Sequence, residues 1–314
     1  MKKRVAVLMG GPSSEHEVSL KSGAMVMKHL NPDRFLGIPV KINRDGSWPL
    51  SMAAFKEKID VAFIALHGEY GEDGQIQSLL DTFHVPYTGS GPVASTVAMD
   101  KIRAQVLLKQ NGFAIPKYLT VVAGAPVIEW EKVKKLGLPL VIKPTNRGSS
   151  VGVQIVRRWP DFNRALADSF HYSDSLIFQQ YIPGIEVTCG VLDINNIAVP
   201  LVPTEIVPKN SQFFDFKAKY TVGGSREITP PCLLALTIKK IQGNALRAHK
   251  VLGCAGMSRT DMIVGNDGTV YLLEVNTIPG LTETSLIPQA AKAMGITFPK
   301  LLDIIIDNAL LKKI

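Results

Sequence analysis

Between Ser258 and Ser285 the chain reads SRTDMIVGNDGTVYLLEVNTIPGLTETS, and this stretch restricts the possible folds more than any other. Two alternating runs, Ser258 to Val264 and Thr269 to Val275, meet at Gly265-Asn266-Asp267-Gly268, a strong turn signal between strands. A hairpin with a loop of two or four residues puts Arg259 opposite Glu274 and Asp261 opposite Leu272. Side chains alternate along strands, so Arg259, Asp261, Glu274 and Asn276 then share one face, and Met262, Val264, Tyr271, Leu273 and Val275 share the other. The second face is expected to be core.

Two acids, an amide and an arginine on one face are costly to hold together unless a cation neutralises the carboxylates. Oxygen ligands from Asp261, Glu274 and Asn276 suit Mg²⁺, which keeps waters and completes its shell from substrate phosphates. An exposed, ion-paired sheet face would carry the same residue types. The continuation favours the metal: Asn276-Thr277-Ile278-Pro279-Gly280-Leu281-Thr282 is a polar, Gly/Pro-punctuated loop leaving the acidic strand, a common location for binding residues.

The whole chain has 314 residues, enough for two or three domains. With 46% hydrophobic and 20% charged residues it reads as an ordinary globular protein rather than a disordered one. Cys189, Cys232 and Cys254 are odd in number and show no Cys-x-x-Cys spacing, which argues against a disulfide framework or zinc site and fits a reducing cytoplasm. The start, Met1 to Met9, has a basic end but only five apolar residues before Gly10-Gly11-Pro12, too few for a signal peptide, and reads as a first strand; no run approaches the ~20 residues that span a bilayer. The net charge of +8 is spread along the chain without a dense basic block with interleaved aromatics, so nucleic-acid binding is a weak reading and an anionic small substrate explains the charge as well.

From Val5 to about Val97, strands and helices alternate: VAVLMGG, a helix from Ser14 to Leu30, the run Val61 to Leu66, a helix from Gln75 to His84, and the strand VPYTGS. This predicts a parallel α/β domain with ligands at the carboxyl ends of its strands. The loops there are Gly10-Gly11-Pro12-Ser13-Ser14-Glu15-His16-Glu17 and His67-Gly68-Glu69-Tyr70-Gly71-Glu72-Asp73-Gly74. Neither is Gly-x-Gly-x-x-Gly, so a dinucleotide fingerprint is lacking. A boundary is expected near Gly91-Pro92, before a helix from Ser95 to Asn111.

Leu140 to Pro144 and Val153 to Val156 read as strands around Thr145-Asn146-Arg147-Gly148-Ser149-Ser150-Val151-Gly152. A Gly/Ser loop with Lys143 on the preceding strand can fold over phosphates, while the order strand, loop, strand excludes a Walker P-loop. Leu176 to Glu186 reads as a strand running into an adenine hinge, with Glu186 as an acid for ribose hydroxyls. More strand follows from Val187 to Pro203, and Lys209 to Pro231 reads as a long lid loop. Leu233 to Leu252 and Leu286 to Leu311 are expected to be core helices.

Together these stretches resemble the D-alanine:D-alanine ligases of the ATP-grasp superfamily. The resemblance is carried by Gly-Gly-Pro-Ser-Ser-Glu-His-Glu-Val-Ser at 10 to 19, His-Gly-Glu-Tyr-Gly-Glu-Asp-Gly at 67 to 74, Met-Asp-Lys at 99 to 101, Arg-Gly-Ser-Ser-Val-Gly at 147 to 152, Ala-Lys-Tyr at 218 to 220, and the acidic hairpin. It implies an N-terminal parallel α/β domain over residues 1–94, then a two-part ATP-grasp fold of α+β type, residues 95–185 and 186–314, with nucleotide between two antiparallel sheets. It implies ATP-dependent joining of two D-alanines through an acyl phosphate for peptidoglycan precursors, in a cytoplasmic homodimer.

Residue by residue, the resemblance gives Asp261, Glu274 and Asn276 to two Mg²⁺ ions, with Mn²⁺ as a substitute. Lys101, Lys143 and Lys219 go to the ATP phosphates, and Arg259 with the Gly280 N–H to the tetrahedral oxyanion. Glu15 would hold the first D-alanine's ammonium in a set with Ser149 and Tyr220, with His67 nearby, while Ser285 and the Leu286 backbone would take the second D-alanine's carboxylate. Gln179 stands where many members carry an acid in the hinge, so only a neutral carbonyl faces the adenine amino group there. A D-serine or D-lactate acceptor is the nearest rival; Lys219 and Tyr220 argue against lactate. A non-catalytic nucleotide-binding protein would not need the full acid, amide and arginine set.

Overall fold

The protein is described by a computed structural model over residues 1–124, 129–145, 151–208, 225–282 and 284–312. Its first layer is a parallel sheet of β1 (Lys3–Gly10), β2 (Phe35–Ile42) and β3 (Val61–Ile64), ordered β2-β1-β3. Val5, Ala6, Val7 and Leu8 are all buried, as expected of a central parallel strand covered on both faces. The strand β2 was not evident from sequence. It is an edge strand that alternates poorly and carries Pro39, which an edge tolerates. VPYTGS, expected as a strand, contributes only a bridge between Tyr87 and Ala62.

Helix α1 (His16–His29) follows β1, α2 (Met52–Lys58) precedes β3, and α3 (Gln75–Thr82) follows the 67–74 loop. The single helix expected from Ser95 to Asn111 is two: α4 (Pro92–Met99), opening on proline, and α5 (Lys101–Gln110). Asp100 divides them. Its backbone is extended, and its carboxylate accepts the N–H groups of Ile102 and Arg103, capping α5 at 3.0 Å each.

The second sheet is antiparallel, β4 (Tyr118–Val122), β7 (Ser175–Gln180), β5 (Leu140–Pro144) and β6 (Gln154–Val156) in spatial order, backed by α6 (Trp130–Leu136) and α7 (Phe162–Phe170). Leu140, Ile142, Leu176 and Phe178 point into that core. The third sheet runs β11 (Ser225–Ile228), β10 (Thr204–Pro208), β8 (Gly184–Ile194), β12 (Met257–Gly265), β13 (Val270–Asn276), with β9 (Ile197–Pro200) on β8. Thus the end of the segment read as a lid loop contains a strand, since Ser225–Ile228 pairs with β10.

Helix α8 (Ala235–Val251) covers the core face of the third sheet, and α9 (Leu286–Ala293) and α10 (Phe298–Leu311) close the chain. The last two do not stay with the third sheet alone. Leu301, Leu302, Ile305 and Ile306 share a core with Val5, Val7 and Phe63 of the first sheet and with Leu192 and Met257 of the third. Arg34, just before β2, pairs with Asp303 and Asp307 on α10 at 3.1 and 2.6 Å. The end of the chain therefore fastens the first sheet to the third, and the site lies where they meet. The fold is a parallel α/β unit joined to two antiparallel sheets.

Candidate active site

The acidic hairpin forms, with a different loop from the one expected. Gly265 N–H donates to Thr269 O and Gly268 N–H to Gly265 O, both at 2.8 Å, leaving Asn266, Asp267 and Gly268 as a three-residue loop. Gly268 has φ +76°, the left-handed position such a loop reserves for glycine. The register at the tip is consequently Met262 opposite Leu272, not Asp261 opposite Leu272.

Farther from the loop the ladder shifts again, between Asp261 and Met262, where Leu273 is an extra residue on β13. Beyond this bulge Asp261 faces Glu274 and Arg259 faces Asn276. The shared face of Arg259, Asp261, Glu274 and Asn276 is therefore present, reached by two compensating one-residue shifts. The core face is corrected: Leu272 joins Met262, Val264, Val270 and Val275 in the core, while Tyr271 turns to the other face and Leu273 sits at the bulge.

The central strand β8 adds to this face. Its register sets Thr188 opposite Asp261, Glu186 opposite Ile263 and Gly190 opposite Arg259. Asp261 is held from several sides: Arg259 grips it with Nε to Oδ1 and Nη2 to Oδ2, both 2.8 Å, Thr188 Oγ1 donates to Oδ1 at 2.6 Å, and Asn276 Nδ2 lies 3.4 Å from Oδ2. A two-bond Arg–carboxylate pair fixes both groups in plane.

Glu274 has a second cation, Lys101 Nζ at 3.7 Å. Lys101 opens α5, and its backbone N–H donates to Thr145 O at the end of β5, which ties the helix to the base of the Gly/Ser loop. A cavity of about 20 Å³ lies here, lined by Glu72, Met99, Lys101, Glu274, Asn276 and Thr277 among others. Among the described residues no three His, Cys, Asp or Glu side chains gather around one point. Two carboxylates and an amide remain as an all-oxygen donor set, which fits a hard cation such as Mg²⁺ or Mn²⁺ and not zinc or copper.

Glu15 precedes α1 and is buried. Its N–H donates to Ser13 Oγ at 2.9 Å, and Ser13 Oγ donates to His67 O at 2.6 Å, so the two loops at the carboxyl ends of β1 and β3 are stitched together. Gly68 completes the fit: it has φ +73°, and a Cβ there would lie 2.9 Å from Glu15 Oε2. His67 is buried, its Nε2 2.8 Å from Ser22 Oγ and its Nδ1 3.2 Å from Ile278 O. Burial pushes the imidazole pKa down, but hydrogen bonding and charge from Glu72, with the charge of Glu15, outweigh it and raise the pKa above its ordinary value. His67 thus joins the first sheet to the loop that leaves β13.

That loop folds on itself ahead of α9. Ser285 Oγ accepts the Thr282 N–H at 2.9 Å and lies 2.8 Å from Thr282 Oγ1, and a Cβ on Gly280 would approach Ser285 Oγ to 2.8 Å. Gly280 keeps its backbone open beside Ser285, and Leu286 begins the helix. On the second sheet, Gln179 faces Val141 and Ile177 faces Lys143, so Lys143 and Gln179 share the face opposite Leu140, Ile142 and Phe178. Ser149, Lys219 and Tyr220 lie outside the described residues.

Sequence reasoning missed Thr188, Glu72, Ser13 and Ser22. Thr188 was accessible by parity, two residues beyond Glu186 on one strand. Glu72 stood in a quoted loop but had no partner until Gly68 N–H was seen to donate to it at 3.0 Å. The serines could not be found from spacing, because they act through loops brought together by the fold.

Comparison with known proteins places the whole chain in a family. A family model described as D-ala D-ala ligase C-terminus matches residues 107–307, and one described as D-ala D-ala ligase N-terminus matches 4–58 and 49–90. The D-alanine--D-alanine ligase of Syntrophobacter fumaroxidans is 46% identical over 98% of this chain and 98% of its own. Among solved structures, a D-alanine--D-alanine ligase from Bacillus anthracis complexed with ATP has TM-score 0.85 and 32% identity, covering 98% of this chain and 97% of its own. A VanG D-Ala:D-Ser ligase from Enterococcus faecalis has TM-score 0.83 and 32% identity, over 98% and 100%.

Proposed function

This chain belongs to the D-alanine--D-alanine ligase family, and from that premise we propose how its residues divide the ATP-dependent joining of two D-alanines. The first D-alanine's carboxylate oxygen attacks the γ-phosphorus of ATP and ADP leaves. The second D-alanine's amine then attacks the acyl carbon, loses a proton, and expels phosphate. The observation that carries this reading is the single sheet face on which Arg259, Asp261, Glu274, Asn276, Thr188 and Glu186 stand together.

Asp261, Glu274 and Asn276 would hold Mg²⁺, which when bound neutralises phosphate oxygens. Lys101 and Lys143, with Lys219, add positive charge toward the same phosphates, and Gln179 and Glu186 take adenine and ribose. Arg259 and the Gly280 N–H stabilise the oxyanion, an effect of roughly 3 to 4 kcal/mol per donor. Glu15 takes the first ammonium with Ser149 and Tyr220, near His67. Ser285 and the Leu286 backbone take the second carboxylate. The reading divides the chain into units 1–94, 95–185 and 186–314, in a cytoplasmic homodimer that supplies peptidoglycan precursors. No described helix is long and apolar enough to cross a membrane.

A D-serine acceptor is the second reading, favoured by the D-Ala:D-Ser ligase that matches this chain as fully as the ATP-complexed D-alanine ligase does. Competition among D-alanine, D-serine and D-lactate with ATP and Mg²⁺, followed by mass analysis of the products, decides between them. D-alanyl-D-alanine is expected to dominate. A dominant mixed product would move the assignment to the second reading, and ATP turnover independent of D-alanine would end both.

A further inference from the structure

The hairpin loop alone would not bring the two acids together. Its three-residue form pairs Val264 with Val270, Ile263 with Tyr271 and Met262 with Leu272. Continued without interruption, that register would set Thr260 opposite Glu274 and turn the glutamate toward the core face, where Thr260, Met262 and Leu272 are buried. Leu273, the extra residue, reverses the parity. The placement of Glu274 beside Asp261 therefore depends on the bulge persisting.

A bulge breaks the ladder and leaves backbone groups needing other partners. β13 is an edge strand, so those partners come from outside the sheet. Leu272 N–H donates to Ala114 O at 2.9 Å, Leu273 O accepts Gln105 Nε2 at 2.9 Å, and Glu274 Oε2 lies 3.7 Å from Lys101 Nζ. Three consecutive residues around the bulge are held by α5 and the segment that follows it. Gln105 is 2% exposed and stands four residues after Lys101, on the same helix face. Its Oε1 has no hydrogen-bond partner among the described residues. The side chain is buried, on balance, to donate one bond, and that bond goes to the bulge.

We propose that Gln105 is a positioning residue for the ligase reaction. By holding the Leu273 carbonyl it maintains the bulge that turns Glu274 onto the Asp261 face, and it fixes α5 so that Lys101 meets Glu274. The inference rests on the reading of Asp261 and Glu274 as metal-holding residues. A residue that merely stabilised the fold would lower the melting temperature and leave the metal affinity of the folded protein unchanged.

The test is Mn²⁺ binding in the presence of ADP, followed by electron paramagnetic resonance, on the full chain and on Gln105→Met, which keeps the volume and removes the donor. Glu274→Gln serves as the reference. The expected result is Mn²⁺ affinity about tenfold weaker in Gln105→Met, with the KM for Mg-ATP raised and that for D-alanine within twofold. If Gln105→Met does not fold, Gln105→Asn, whose donor is one methylene short, takes its place with an intermediate loss expected. Unchanged Mn²⁺ affinity in the folded Gln105 variant, with Glu274→Gln impaired, overturns the proposal alone. Unchanged affinity in Glu274→Gln overturns the metal assignment and the proposal with it.

Discussion

Asp261 and Glu274 are direct cross-strand partners between β12 and the edge strand β13 of the third sheet, two like charges in a position where such a pair ordinarily destabilises a sheet. The arrangement holds because each acid has its own cation, Arg259 for Asp261 and Lys101 for Glu274. Those same cations face the phosphates and the reacting carbonyl in the proposed reaction. In that proposal, the charges that make the site tolerable at rest are also the charges assigned to its chemistry.

Arg259→Lys separates these roles. A lysine keeps the charge but cannot form the planar two-bond pair with Asp261, and its ammonium cannot hold the carboxylate and reach an oxyanion together. We expect kcat to fall by roughly 10² to 10³, the usual cost of one oxyanion donor, with a smaller change in the KM for D-alanine. Phosphate-release kinetics measure this directly. A wild-type kcat would remove Arg259 from the chemistry.

His67 gives a pH-dependent prediction. Burial opposes its charge, yet Glu72 and Glu15 raise the pKa above the ordinary 6.5. Its contribution to stability is then fully present below pH 6.5 and is lost as pH rises through the folded-state pKa. Nitrogen-resolved NMR titration should show His67 titrating above 6.5, and Glu72→Gln should bring it down. Titration below 6.5 in the native protein would mean that burial wins and the ring is neutral at rest.

The sequence disclosed the acidic face but not the means of building it. Alternation along two strands puts Arg259 with Asp261 and Glu274 with Asn276 whatever the loop, since each pair lies two residues apart. Joining the pairs requires a register, and register depends on loop length and on bulges. Asn266-Asp267-Gly268 accepts several loop forms, and nothing in YLLEVN marks Leu273 as the surplus residue. The helix expected from Ser95 to Asn111 failed for a related reason: Asp100 fits a helix by composition, but as a cap it ends one helix and starts the next, placing Lys101 at a helix entrance. Side chains acting across distant loops, such as Ser13 and Ser22 on His67, leave no local trace.

Gly68→Ala tests how closely the two N-terminal loops must meet. The backbone has φ +73°, costing an alanine about 1 to 2 kcal/mol, and the new methyl would press on Glu15 Oε2 and Ser13 Oγ at 2.9 and 3.0 Å. Stability by urea unfolding should fall by about that amount. The KM for the first D-alanine should rise by at least tenfold, because the carboxylate assigned to its ammonium is the atom displaced. A stability loss with unchanged substrate affinity would separate Glu15 from substrate binding.

Ser285→Ala probes the acceptor side. Ser285 Oγ takes the Thr282 N–H, meets Thr282 Oγ1 and lies against Gly280, so its removal leaves the Thr282 amide without that partner and loosens the loop carrying the Gly280 N–H. Losing one partner from such a pair costs about 1 to 3 kcal/mol. Because Ser285 is assigned to the second D-alanine's carboxylate, that cost should appear mainly as a tenfold or greater rise in the second-site KM, read from the dependence of steady-state rate on D-alanine concentration. Formation of the acyl phosphate, followed as ADP release in a single turnover, should be nearly preserved, since the first D-alanine is assigned to residues of the other loops. If ADP release fell as far as dipeptide formation, Ser285 would belong to the shared architecture of the loop and not to recognition of the acceptor.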